Sequence, residues 1–137
     1  MYEDILFDIC YEMLQKSYLF RNLDEPFLRD LSKTVQVYLY NPEMIICEQG
    51  EPSSALYFII QGECLVKSPS SINTVSAILR PGCIFGESNL LFSTPHTANI
   101  ETRTCSQFLV IHKDALLNVC HEHPHSLGVM RARLQVT

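Results

Sequence analysis

Clustered lysine and arginine are missing from this 137-residue chain, in which fifteen Asp and Glu outnumber ten Lys and Arg for a formal charge of −5. Proteins that coat phosphate backbones need such clusters, so nucleic acid is excluded as a partner. Long apolar runs are missing too. The longest, Ala55 to Ile60, is far short of the roughly 20 residues of a membrane span. The opening Met1-Tyr2-Glu3-Asp4 carries no basic stretch followed by an apolar core, so no secretory signal is expected. No Asn-x-Ser/Thr sequon and no Cys-x-x-Cys pair occurs, which removes common marks of secretion, zinc ribbons and dithiol redox centres. What is present is a globular composition, 47% apolar and 18% charged, in a length suited to one compact domain. These features predict a soluble, intracellular protein.

Six cysteines (Cys10, Cys47, Cys64, Cys83, Cys105 and Cys120) are spaced widely and irregularly. Most sit inside apolar segments such as Ile45-Ile46-Cys47 and Cys64-Leu65-Val66, where a free thiol behaves as a small core residue. Reduced thiols are the expectation.

Along the chain, Ile5, Leu6, Ile9, Cys10, Met13 and Leu14 recur at helical spacing and form one apolar stripe. Asp24 is placed to cap a second helix, with Pro26 in its first turn and Phe27, Leu28 and Leu31 on one face. From Val35 the texture changes to short alternating or β-branched segments: 35–40, 44–47, 56–60, 63–67, 74–79, 97–101 and 107–111. Turn signals separate them, among them Asn41-Pro42, Gln61-Gly62, Pro81-Gly82 and a polar hairpin tip at Ser68 to Ser71. Short strands at that spacing mark a sandwich, barrel or jelly roll. Helical spacing returns at 113–120, and Pro124 interrupts it before a last piece, 126–134. The order predicts an α+β protein: N-terminal helices over 1–34, an antiparallel β jelly roll over 35–112, and C-terminal helices over 113–137.

One segment carries chemistry. Phe85-Gly86-Glu87 places a glycine and a carboxylate at the start of a short helix between two strands. Free backbone N–H groups at such a start suit an anion, phosphate above all. The same triplet also serves as a turn glycine followed by a first-turn Glu that the helix dipole favours. Elsewhere, His121, His123 and His125 fall at spacing two around Pro124. They read as helix-end residues complementing the dipole rather than as metal ligands, because Pro124 breaks the face they would share. Arg131 and Arg133 read as a solvated basic face. No Ser–His–Asp or Cys–His arrangement is legible. The β region holds only His96, with His112 at its edge, too few for a jelly-roll metalloenzyme. An enzyme is not expected, nor a metal or cofactor.

Phe85 to Ala98 resembles the phosphate-binding cassette of the cyclic-nucleotide-binding domain family, and the cassette region spans 85–99. That cassette reads Phe-Gly-Glu, two variable residues, two apolar residues, a short loop, then Arg-Thr-Ala or Arg-Ala-Ala. Gly50, Gly62, Gly82 and Gly86 also fall at the family's turn positions, so the resemblance covers roughly residues 15 to 124. Within the family the chain looks most like domains of cyclic-nucleotide-gated and hyperpolarisation-activated channels, and sperm-type sodium/proton exchangers carry a similar one. The resemblance implies a cytoplasmic regulatory domain of a membrane transport protein, with cAMP or cGMP as ligand and homo-oligomerisation through the parent protein. It implies that Phe85, Gly86, Glu87, Ser88, Asn89, His96, Thr97 and Ala98 form the ligand site. Gly86, Ser88 and Asn89 would supply backbone N–H groups, Glu87 would accept from the ribose 2′-hydroxyl, and Thr97 would reach the phosphate or a guanine amino group. Ala98 would allow close approach.

The departure is His96, where the family has an arginine whose planar fork holds the phosphate through two bonds. Losing that contact is expected to cost about 1.5–3 kcal/mol, or about 10- to 150-fold in affinity. An imidazole with an ordinary pKa near 6.5 is only about a quarter charged at pH 7. The expectation is weakened or lost nucleotide affinity. The alternative is a ligand-free interaction or oligomerisation module of the same fold.

Overall fold

The computed structural model of the chain describes residues 2–67, 75–87, 90 and 94–136. Its β-branched, aromatic and alternating segments form β1 (Gln36–Tyr40), β2 (Ile45–Cys47), β3 (Ala55–Gln61), β4 (Cys64–Lys67), β5 (Val75–Leu79), β6 (Ile84–Phe85), β7 (Asn99–Thr102) and β8 (Ser106–His112). They build two four-stranded sheets, ordered β1-β8-β3-β6 and β2-β7-β4-β5. Antiparallel registers such as Tyr57 opposite Phe85 and Val66 opposite Ile100 fix which side chains face inward.

Residues 37–110 form one unit. Its core takes Ala55, Tyr57, Ile59, Phe85, Phe108 and Val110 from one sheet and Cys47 and Cys64 from the other. The aromatic centre is ordered: Phe85 lies parallel to Tyr57 with centroids 4.8 Å apart, and Phe108 meets Phe85 edge-on at 5.8 Å. Thr102 pins the turn between β1 and β2. Its hydroxyl donates to the Asn41 carbonyl (2.6 Å) and accepts from the Met44 N–H (2.9 Å). At the β3–β4 corner Gly62 has φ +94°, and a Cβ there would fall 2.5 Å from the Cys105 carbonyl oxygen, so only glycine fits.

Residues 1–36 and 111–137 form the second unit, with helices α1 (Tyr2–Lys16), α2 (Glu25–Ser32), α3 (Lys113–Glu122) and α4 (Pro124–Val136). Pro124 does end one helix and start the next. It tolerates the first helical position because that N–H has no intrahelical partner. Arg133, read from the sequence as solvated, instead donates to the Leu19 carbonyl at 2.9 Å, while the Tyr18 hydroxyl donates to the Arg133 carbonyl at 3.2 Å. The loop after α1 thereby holds the end of α4. No helix among the described residues is long and apolar enough to cross a membrane.

Other details depart from expectation. The apolar stripe of α1 is wider than its buried face: Cys10 and Leu14 are fully covered, but Ile5 and Ile9 are 58% and 37% exposed. Asp24 precedes α2 with extended backbone but makes no side-chain cap bond. β6 was not expected as a strand, since two residues carry no period. The tip at Ser68 to Ser71 lies outside the described residues. All six cysteines are free thiols, and burial pushes those of Cys10 and Cys47 up to about 12, far from a reactive thiolate.

Candidate functional site

The site begins where β6 runs out. Phe85, 5% exposed, is locked between Tyr57 and Phe108 and belongs to the core; it positions the turn that follows. Gly86 takes φ +89°, and a Cβ there would lie 2.6 Å from the Ala55 carbonyl oxygen, so the backbone can pass only as glycine. The Ser53 hydroxyl, 3.1 Å from the Gly86 carbonyl and 3.3 Å from that of Ala55, ties the turn to β3. The Leu90 N–H then donates to the Gly86 carbonyl at 3.1 Å, a bond of helical span.

The opposite wall is held by main chain. The His96 N–H donates to the Glu51 carbonyl (2.9 Å), and the Gly50 N–H donates to the His96 carbonyl (2.9 Å). Pro52 and Pro95 form a bridge beside them, and the Gln49 N–H donates to the Asn99 side chain at 2.7 Å. His96 therefore has little freedom to move away from the cassette.

Between these walls lies a recess of about 180 Å³, lined by Phe85, Gly86, Glu87, His96, Thr97 and Ala98 over a floor of Val66, Ile84 and Ile100. Residues ten positions apart in the cassette thus meet in one place. Ser88 and Asn89, the other two expected site residues, lie outside the described residues. Thr97 is exposed, Ala98 half-buried, and His96 only 8% exposed.

The electrostatics are unusual for an anion site. Burial pushes the Glu87 carboxyl above its ordinary range, partly offset by a hydrogen bond from its own backbone. Burial alone pushes the His96 imidazole below its ordinary value. Both shifts favour the uncharged form, as a poorly solvated pocket must. Among the described residues lining the recess there is no lysine or arginine. Lys67, next to Val66 in β4, is paired with Glu101 instead, and strand alternation turns it to the other face. On its other side His96 borders an open groove of about 590 Å³ whose rim includes Glu48 and Glu51. Among the described residues lining the recess, His96 is the sole side chain that can offer a charged donor to a phosphate, and its surroundings resist charging it.

Sequence reasoning did not single out Ser53, Val66, Ile84 or Ile100. Val66 and Ile100 were findable, because they fall on the inward period of β4 and β7; Ile84 was not, because β6 is too short to show a period. Ser53 had no signal, since its bond to Gly86 spans 33 residues.

Comparisons with known proteins agree on one family. The family profile described as the cyclic nucleotide-binding domain matches residues 39–123. The human cyclic nucleotide-gated channel beta-1 is 26% identical over 133 residues, covering 95% of this chain and 11% of the channel. A cyclic nucleotide-gated potassium channel from Mesorhizobium japonicum is 25% identical over 113 residues, covering 82% of this chain and 30% of that one. The chain thus spans a minor part of each channel. Among solved structures, the regulatory domain of Toxoplasma gondii PKA with cAMP superposes with a TM-score of 0.75 at 23% identity, over 82% of this chain and 44% of that one. The likeness confirms the jelly-roll fold.

Proposed function

The chain belongs to the cyclic nucleotide-binding domain family, and from that premise we propose that it is the cytoplasmic regulatory domain of a membrane ion channel, holding cAMP or cGMP weakly because His96 stands where the family has arginine. The observation that carries this reading is the convergence of Gly86, Glu87, His96, Thr97 and Ala98 on one recess. Glu87 would accept from the ribose hydroxyl, backbone N–H groups of the helical turn after Gly86 would face the cyclic phosphate, and His96 would add one donor. The relatives reported above are channels, which favours a channel over an exchanger as the parent. Binding would act by shifting the population of helix arrangements outside the barrel.

Titration tests the role of His96. Its imidazole is held below its ordinary value in the free protein, while a bound phosphate favours imidazolium. Binding therefore takes up a proton, and affinity rises as pH falls from about 7.5 to about 6. Calorimetry with cAMP and cGMP at both values reads this directly. A flat or reversed dependence removes His96 from the phosphate.

The second reading, a ligand-free interaction or oligomerisation module, draws support from the absence of lysine and arginine among the described lining residues. A thermal-shift experiment with millimolar cAMP or cGMP separates the two. A ligand that binds only the folded state must raise Tm, and an interaction module would show no change.

A further inference from the structure

Outside the cassette, the fold gathers three metal-ligating side chains that are far apart in sequence. Asp30 comes from α2, Glu122 is the last residue of α3, and His123 is the single residue between α3 and α4. One ligand atom from each lies within 4.8 Å of the others. Within that set His123 Nε2 stands 3.0 Å from Asp30 Oδ2. The imidazole is held in place: its side chain is 20% exposed, and the ring meets Phe27 edge-on with centroids 5.6 Å apart. Its backbone, at φ −132° and ψ 66°, has already left the helix. That conformation turns His123 toward α2 instead of along the face shared with His121.

We propose that Asp30, Glu122 and His123 form a binding site for a divalent transition-metal ion of the zinc type, which fixes the α3–α4 corner to α2. One imidazole nitrogen with two carboxylate oxygens is a donor set that zinc accepts, at bond lengths near 2.0–2.2 Å. Tetrahedral ligands at those lengths sit about 3.3–3.5 Å apart. The Asp30–His123 pair therefore needs to open by only about half an ångström to admit the ion. Glu122 is exposed and Asp30 half-exposed, so the remaining coordination is open to water. The competing partner is Lys33, whose Nζ lies 3.9 Å from Asp30 Oδ1. It contacts the oxygen that does not face His123, at a distance too long for a strong hydrogen bond, and an incoming cation displaces it. The sequence could not suggest this site, because Asp30 is 93 residues from His123. The reading stands independently of whether the cassette binds a nucleotide.

The experiment uses the metal-stripped chain, titrated with zinc chloride and, as a control, magnesium chloride at pH 7.5. Zinc at a hundredfold excess over its Kd is expected to raise Tm on the order of 5–10 °C, with magnesium inert. Asp30→Asn and His123→Gln each abolish the shift. Glu122→Gln leaves the Asp30–His123 hydrogen bond in place and still weakens zinc by at least about tenfold, since even indirect partners of a metal commonly count for that much. His121→Gln and His125→Gln leave the response intact. Cobalt in place of zinc shows d–d bands without a thiolate charge-transfer band, which separates this site from the free cysteines. No zinc response in the unaltered chain overturns the proposal. So does a response that survives Glu122→Gln and His123→Gln, or one carrying a thiolate band.

Discussion

Glu87 and His96 face one recess, and burial drives both toward their neutral forms, the carboxyl upward and the imidazole downward. For Glu87 the consequence for folding follows from its sign. A carboxyl that holds its proton more tightly in the folded state contributes stability below its unfolded value, near 4.3, and loses it as pH rises through the folded value. At pH 7 the ionised side chain therefore works against the fold. Glu87→Gln is expected to raise Tm of the ligand-free protein at pH 7, with the gain shrinking as pH falls toward about 4. Thermal unfolding across that range checks it, and an equal or lower Tm at pH 7 contradicts the desolvation argument. An acceptor kept where it costs stability is what a ligand site, rather than a packing site, requires. At this scale the cassette was largely legible, because Gly86 and its neighbours keep the family's spacing. The suppressed charge of His96 was not, because it depends on how deeply the loop seats the ring.

Each element owes its placement to a few non-local bonds. The Asn41–Met44 turn puts Glu43 at φ 65°, a region that only a surrounding constraint makes tolerable for a side chain. Thr102 supplies it through its hydroxyl bonds to Asn41 and Met44, together with a Glu43 N–H bond to its own carbonyl at 2.8 Å. Thr102→Val keeps the shape and deletes the hydroxyl, so the Met44 N–H and the Asn41 carbonyl lose their bonds to it. Stability is expected to fall by about 0.5–1.5 kcal/mol, read as a lower urea midpoint with an unchanged slope. An unaltered midpoint contradicts the pinning role. Turn residues and inward periods exposed most strands to sequence reasoning, and Pro124 marked the α3–α4 break. β6 escaped because two residues have no periodicity, and the Arg133 contact with Leu19 escaped because 114 residues separate them. Ile5 and Ile9 were overread for a related reason: apolar character reports what a helix is able to bury, not how wide a face its neighbours cover.

At the scale of the whole molecule, an acidic chain that held an anionic nucleotide would do so against its own field. A host with net charge −5 depends on local donors, so the identity of residue 96 weighs more than it would in a basic domain. The walls of the recess, the glycine turn and the buried Phe85 anchor are all in place around it. Under the proposed function the pocket is intact and only its charged fork is gone. Titration of the unaltered chain and of His96→Arg with cAMP and cGMP, at one pH and fixed salt, tests this most directly. The predicted result is weak binding by the unaltered chain and a gain of about 10- to 150-fold on restoring the arginine. A folded His96→Arg chain that binds neither nucleotide, or binds no better than its parent, would contradict it.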